Sequence, residues 1–193
     1  MAFVYIVRCN FTEPAREPAW NAWYSGPKIA QMLAQPYFRS CQRFRLASGM
    51  GRNYLALWVV DSPQALKTPQ YVSQWGFAEW APYVRDWSRD LFDAGAAPDG
   101  AFAVTRQGAL RVVAFDGMSE DEARAARGAV ATADPDVMWL SVVGLDRHTP
   151  VIGVRPLADV APMPSSADGG DKRIQRAVYR PISDYCRAPL TAA

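Results

Sequence analysis

The chain has 193 residues, half of them hydrophobic and 12% aromatic, with 21 basic and 19 acidic side chains for a formal charge of +2. That is enough apolar material for one large domain or two of roughly 100 residues each. With no basic run or stripe, nucleic acid is excluded as an expected partner; with no apolar run near the roughly 18 residues of a membrane span, so is a bilayer.

The cysteines Cys9, Cys41 and Cys186 are odd in number and lack metal-ligand spacing. With no signal-peptide pattern at Met1–Phe11, they point to a reducing cytoplasm. One histidine, His148, rules out histidine-rich metal sites and leaves at most one imidazole for acid–base work.

In chain order, Phe3–Phe11 (FVYIVRCNF) is rich in aromatic and β-branched residues and predicts a strand. Pro14 and Pro18 suit the start of a helix, which then runs from about Pro18 to Leu33 and is kinked or interrupted at Gly26-Pro27. Phe38–Leu46 alternates as a strand does. Ser48–Gly51 is a turn, and Asn53–Asp61 completes a hairpin. Ser62 caps a short helix over Pro63–Thr68. Ser73–Phe92 predicts a longer helix, because Trp80, Tyr83, Trp87 and Leu91 recur every three to four residues.

Ala94–Gly100 reads as a linker, dividing residues 1–94 from residues 101–185. The second half opens with a strand or hairpin over Ala101–Phe115. Ser119 and Glu122 form a capping box for a helix to about Ala131. Val137–Val143 and Val151–Val154 are short strands, Pro162–Asp171 is a loop by composition, Arg173–Ile182 is a last strand, and the residues from Tyr185 or Cys186 to Ala193 form a loose tail. Each half thus begins strand, helix, strand, strand. The expected fold is α+β: two ferredoxin-like β-α-β-β-α-β units packed sheet to sheet, the second one degenerate.

Trp23-Tyr24, Lys28, Met32-Leu33, Pro36, Phe38, Arg43-Phe44 and Tyr54–Trp58 together resemble a pattern of the dimeric α/β-barrel superfamily, closest to its EthD-like branch, over about residues 1–95. The resemblance implies a sheet curved into half a barrel, with a pocket between sheet and helices. It also implies pairing of two such sheets, either in a homodimer or within one chain. Two positions depart from the pattern: Lys28 stands where the family has a histidine, and Tyr37 where it has a glycine. Known members include monooxygenases, isomerases, cyclases and dehydratases, so the resemblance alone selects no reaction.

The candidate site residues each have a bland reading. Trp20, Trp23, Trp58, Trp75, Trp80, Trp87 and Tyr83 either fill the core or wall a flat pocket for an aromatic or polyketide-like ligand. Arg43 and Arg45 lie two apart on one strand face, where they either meet solvent and cross-strand partners or bind a carboxylate or enolate oxygen. Tyr24 and Lys28 are four apart on the helix and form either an acid–base pair or core and surface. His148 is an exposed turn histidine or an acid–base group oriented by Asp146.

With no metal, nucleotide or nucleophile motif, no cofactor is expected. The functional expectation is a cofactor-free enzyme of isomerase, cyclase, lyase or monooxygenase type, acting on an aromatic or polyketide-like acid by proton transfer. The alternative is a non-catalytic small-molecule-binding or accessory protein, and a third is a structural role in an assembly.

Overall fold

A computed structural model describes residues 1–98, 100–132, 134–159 and 171–189. Most of the loop expected at Pro162–Asp171, and the end of the expected tail, lie outside these residues.

Strand β1 (Phe3–Phe11) is apolar along nearly its whole length because both of its faces are buried. It lies between β3 (Tyr54–Val60) and β4 (Val84–Asp93), and β3 pairs in turn with β2 (Phe38–Gly49). The second half supplies β5 (Ala109–Phe115), β6 (Met138–Leu145), β7 (Val151–Leu157) and β8 (Ile174–Pro181) in the order β6-β7-β5-β8. This matches the order β2-β3-β1-β4 of the first half. Pairs β4–β6 and β2–β8 join the two sets edge to edge, so the antiparallel sheet closes into a barrel within one chain. A two-residue strand, β9 (Cys186–Arg187), pairs with the start of β2.

One apolar cluster takes residues from all eight long strands, among them Ile6, Phe44, Leu57, Phe92, Val112, Leu140, Ile152 and Tyr179. A cluster shared by every strand of a closed sheet is its interior. A second cluster lies on the opposite face of the first half, under α1 (Glu17–Trp23), α2 (Ile29–Leu33) and α3 (Pro69–Gln74). A third, smaller one lies beneath α4 (Glu120–Ala131) in the second half, and α4 begins with the expected Ser119–Glu122 capping box.

Three expectations need correction. Ser73–Phe92 is not one helix. It comprises the end of α3, a 3-10 turn over Ala78–Tyr83 and strand β4. Gly76 at φ +92° and Pro82 break the helical path, and hydrogen bonding to β1 and β6 outweighs the three-to-four spacing of the aromatics. Within Ala101–Phe115 only Ala109–Phe115 is a strand. Phe102 and Val104 instead fold into the barrel interior, held by Gln42, whose side chain donates to the Val104 carbonyl at 2.8 Å and accepts from its N–H at 2.9 Å. The tail beyond Tyr185 is not wholly loose either. Besides the β9 pairing, the Tyr185 hydroxyl donates to Ser40 Oγ at 2.8 Å, so this segment lies along the start of β2, ahead of its pairing with β8.

Among the described residues no helix is long and apolar enough to cross a membrane.

Candidate functional site

The site starts from a proline. Pro27 has no N–H, and in a regular helix its ring would meet the carbonyl of residue 23. The chain answers with a π turn over Tyr24–Lys28 between α1 and α2, in which the Ile29 N–H reaches back five residues to the Tyr24 carbonyl. Helical direction is kept and one turn is widened. Tyr24 and Lys28 both end up buried, facing the outer side of the sheet.

Between that helix and the sheet lies a partly open cleft. Its floor is Tyr5 and Val7 of β1 with Trp58 of β3, and the helical wall is Tyr24, Lys28 and Met32. Trp75, Gly76 and Phe77 form the roof, together with Trp87 and Arg89 of β4. The rings of Trp75 and Trp87 lie 6.1 Å apart, and both residues are about two-fifths exposed. Gly76 turns the chain sharply out of α3 at a positive φ; no atom lies within 4 Å of where its Cβ would be, so it is backbone conformation, not space, that calls for glycine. The lining holds two cations and no carboxylate.

Lys28 is 5% exposed. Its Nζ donates to the Gln74 carbonyl and sits 6.0 Å from the centre of the Trp23 ring. Among the described residues no Asp or Glu pairs with it. Burial without a counter-charge disfavours the ammonium and lowers its pKa from 10.5 to about 8.

Burial also pushes the Tyr24 hydroxyl well up, more than the nearby Arg43 pulls it down. At neutral pH this hydroxyl therefore keeps its proton, and Trp58, whose indole N–H can only donate, pulls the same way as Arg43. Tyr5 is raised too, by burial and then by Tyr71, whose hydroxyl donates to Tyr5 at 3.1 Å. The Arg89 guanidinium lies 4.0 Å from the Trp75 ring centre and 3.3 Å from Asp146, which stands outside the cleft lining.

Of the residues singled out from sequence, Tyr24, Lys28 and Trp58 line this cleft together. Arg43 does not. It is 1% exposed and lies under α1, donating to the Asn21 carbonyl at 3.2 Å, Asn21 Oδ1 at 3.0 Å and Ser25 Oγ at 2.9 Å. Its partners fill the fork intended for a substrate carboxylate. Trp20 is fully buried, stacked on Phe11 at 4.5 Å and 4.8 Å from the Arg43 guanidinium. Both border a separate, smaller cavity behind Tyr24. Arg45 does share Arg43's face, as the strand geometry predicts, but it is exposed and paired with Glu17.

Trp23, Trp80 and Tyr83 pack among themselves and on Phe11 rather than facing the cleft. They belong to the outer core because the 3-10 turn carrying Trp80 and Tyr83 folds back over α1. His148 belongs to a different region. Its N–H donates to Asp90 at 2.8 Å and its Nε2 lies 3.8 Å from Asp116. Asp116 also binds Arg8 at 2.6 Å and Arg52 at 3.2 Å. Asp146 does not orient the imidazole; its carboxylate takes the Arg89 N–H and guanidinium instead.

Trp75 and Trp87, weighed from sequence as pocket wall or core, do line the cleft, whereas Tyr5, Val7, Met32, Phe77 and Arg89 were not singled out from sequence as site residues. For Trp87 and Arg89 there was a signal in the alternation of VRDWSRDLFD, which a strand obeys and which places both on one face.

No protein-family model matches the chain, and no curated protein matches it in sequence. Solved structures do match its fold over nearly its full length. An anthrone oxidase-like protein aligns at TM-score 0.55 and 13% identity, covering 100% of this chain and 96% of its own. A candidate chlorite dismutase aligns at 0.52 and 8%, covering 94% and 95%. A candidate monooxygenase from Fusobacterium nucleatum aligns at 0.52 and 10%, covering 94% and 93%. At 8–13% identity these are likenesses of fold.

Proposed function

We propose that the chain is a small-molecule enzyme whose cleft holds an aromatic or polyketide-like acid and whose Lys28 amine and Tyr24 hydroxyl move a proton on it, using side chains alone. The observation that carries this reading is Lys28, a buried ammonium on the cleft wall with no carboxylate partner and a pKa of about 8. Near neutral pH a useful fraction of such an amine is free to accept a proton, while Tyr24 keeps its own and can donate a hydrogen bond to developing oxyanion character. Aromatic walls suit a flat ring system. Two cations without an acid in the lining suit an anion, and Arg89 at the Trp75 side is the natural anchor for its carboxylate. That an anthrone oxidase-like protein and a candidate monooxygenase share the fold supports small-molecule chemistry.

The same reading takes the chain as two fused ferredoxin-like units divided at residues 95–100, nearest the EthD-like branch. Its support is the repeated strand order and the φ of +70° at Tyr37, where the family has glycine. Such a conformation is costly for a residue with a side chain. Lys28 at the family's histidine position is a departure from that branch. The barrel of two such units is complete in one chain, so a homodimer is not required to build it.

Thermal unfolding against a panel of aromatic acids, 2-naphthoic acid first, tests binding. At 100 times its dissociation constant a ligand adds about 2.7 kcal/mol, a shift of roughly 5–11 °C for a chain of this size. Deuterium wash-in beside the carbonyl of phenylpyruvic acid in heavy water tests proton transfer. It should be accelerated by the protein and lost in Lys28→Gln. A flat thermal response across the panel overturns the reading.

A second reading, a binding or accessory protein without turnover, is favoured by the Lys28 Nζ bond to the Gln74 carbonyl, which ties the head group to the cleft wall. It expects the thermal shift without the wash-in.

A further inference from the structure

The chain has only three lysines, Lys28, Lys67 and Lys172, against eighteen arginines. Lys67 and Lys172 are exposed. Lys28 is the buried one, and it stands in the cleft. A guanidinium would have held a counter-ion or hydrogen-bond fork equally well there, as Arg43 does a short distance behind. What an arginine cannot do is lose its proton and present a lone pair, since its pKa is above 12.

The surroundings of the Lys28 amine are those a nucleophilic amine requires. Its carbon chain and head are out of bulk water. No carboxylate among the described residues holds it as an ion pair, and its one polar partner, the Gln74 carbonyl, is an acceptor that orients an N–H without taking the lone pair. Tyr24 borders the same space as a protonated hydroxyl, and Met32, Phe77 and Trp58 keep the space apolar. Desolvated lysines beside aromatic or cationic groups are a recurring source of imine-forming nucleophiles.

From this geometry we infer that Lys28 forms a covalent imine with aromatic aldehyde or keto acids bound in the cleft. The inference rests on the cleft reading above and names the carbonyl as the group that such ligands must carry.

The step balances without any further reactant. The neutral amine nitrogen adds to the carbonyl carbon, forming the N–C bond, and the carbonyl π pair moves to oxygen. That oxygen takes up a proton, for which the Tyr24 hydroxyl in the same lining is a donor, and the nitrogen gives up a proton in exchange. The carbinolamine then loses its hydroxyl as water, leaving a C=N bond. Amine plus carbonyl gives imine plus water, and water reverses it. Once protonated, the C=N bond draws electrons more strongly than the parent carbonyl, so protons on the adjacent carbon become easier to remove.

The test uses the intact protein with 6-formyl-2-naphthoic acid and sodium cyanoborohydride at pH 7.5, followed by peptide mapping. Hydride delivered to the imine carbon leaves a stable secondary amine on whichever lysine formed it, and Lys67 and Lys172 serve as internal controls. The expected result is labelling of Lys28 at least tenfold above either control, suppressed at least fivefold by excess 2-naphthoic acid, and absent in Lys28→Arg. The wild-type map alone decides the matter if that variant folds poorly. Equal labelling of all three lysines, or of the two exposed ones only, overturns the imine. If 2-naphthoic acid still raises the melting temperature in that case, the cleft reading stands and only the covalent step fails. If the acid produces no shift and Lys28 takes no label, both fall together.

Discussion

The guanidinium carbon of Arg43 lies 4.2 Å from the centre of the Tyr24 ring, with the charge spread across Tyr24 on one side and Trp20 and Tyr54 at 4.8 and 5.6 Å. No carboxylate among the described residues balances it. The aromatic faces and three hydrogen bonds to Asn21 and Ser25 do so instead. Burial still lowers the guanidinium from its ordinary range, against the opposing pull of Tyr24 and the two buried thiols. Arg43 is therefore a rivet: it ties the helical segment carrying Tyr24 and Lys28 to strand β2.

Removing the rivet should cost stability before it costs chemistry. Arg43→Ala leaves a cavity and unpaired groups on Asn21 and Ser25, and should destabilise the protein by about 2–4 kcal/mol in urea unfolding. Arg43→Met fills most of the volume and relieves the desolvated charge, so it should cost less than half as much. Equal losses for the two variants would mean that charge, and not packing, is what Arg43 contributes.

Lys28 should show itself in the pH dependence of stability. Its folded pKa is lowered from 10.5 to about 8. Below pH 8 both states carry the proton, and the burial penalty is present in full. Between about 8 and 10.5 the unfolded chain holds a proton the folded chain has released, so this group makes stability rise with pH. Buried tyrosines and thiols titrate higher and act in the opposite direction, so the quantity to measure is the wild-type curve minus that of Lys28→Met. That difference should climb by on the order of 1–3 kcal/mol across the window. A flat difference would mean that the ammonium is not desolvated.

Arg89 should decide charge selectivity. Wild type is expected to bind 2-naphthoic acid at least tenfold more tightly than 2-naphthamide in tryptophan-fluorescence titration. Arg89→Gln should bring the two within about threefold, the loss of one charge-assisted pair. Undiminished preference in the variant would assign the carboxylate to Lys28 instead.

His148 should be silent in the same titration. It lies with Asp90 and Asp116 and does not line the cleft, so His148→Ala should leave the dissociation constant of 2-naphthoic acid within twofold. The half-exposed pair with Asp116 is worth at most about 0.5–1 kcal/mol to stability. A tenfold loss of affinity would tie that network to the cleft.

Much of this protein was readable from local patterns. The FVYIVRCNF strand, the helix interrupted at Pro27, the hairpin Asn53–Asp61 was expected to complete and the Ser119–Glu122 capping box all depend on period-2 alternation, a missing N–H or a short-range cap. Each of these acts between residues close in sequence. The likeness of Tyr24 and Lys28 in placement was legible for the same reason, since four residues on a helix share a side.

Other features depended on partners far along the chain. Ser73–Phe92 carries both a helical spacing of aromatics and the alternation VRDWSRDLFD; only pairing with β1 and β6 chose the strand, and with it the positions of Trp87 and Arg89 on the cleft. Arg43 and Lys28 are both basic residues in aromatic surroundings, and nothing local says which will meet Asn21 and Ser25 and which will face open space. That choice arises when α1 docks on the sheet, because burial and hydrogen-bond satisfaction are properties of the packed interface. The sequence by itself determined strands such as β1 and β3, the interrupted helix and the supply of aromatic and basic groups; the closing of the barrel made a strand of β4 and decided which groups became core, which a rivet and which the wall of a cleft.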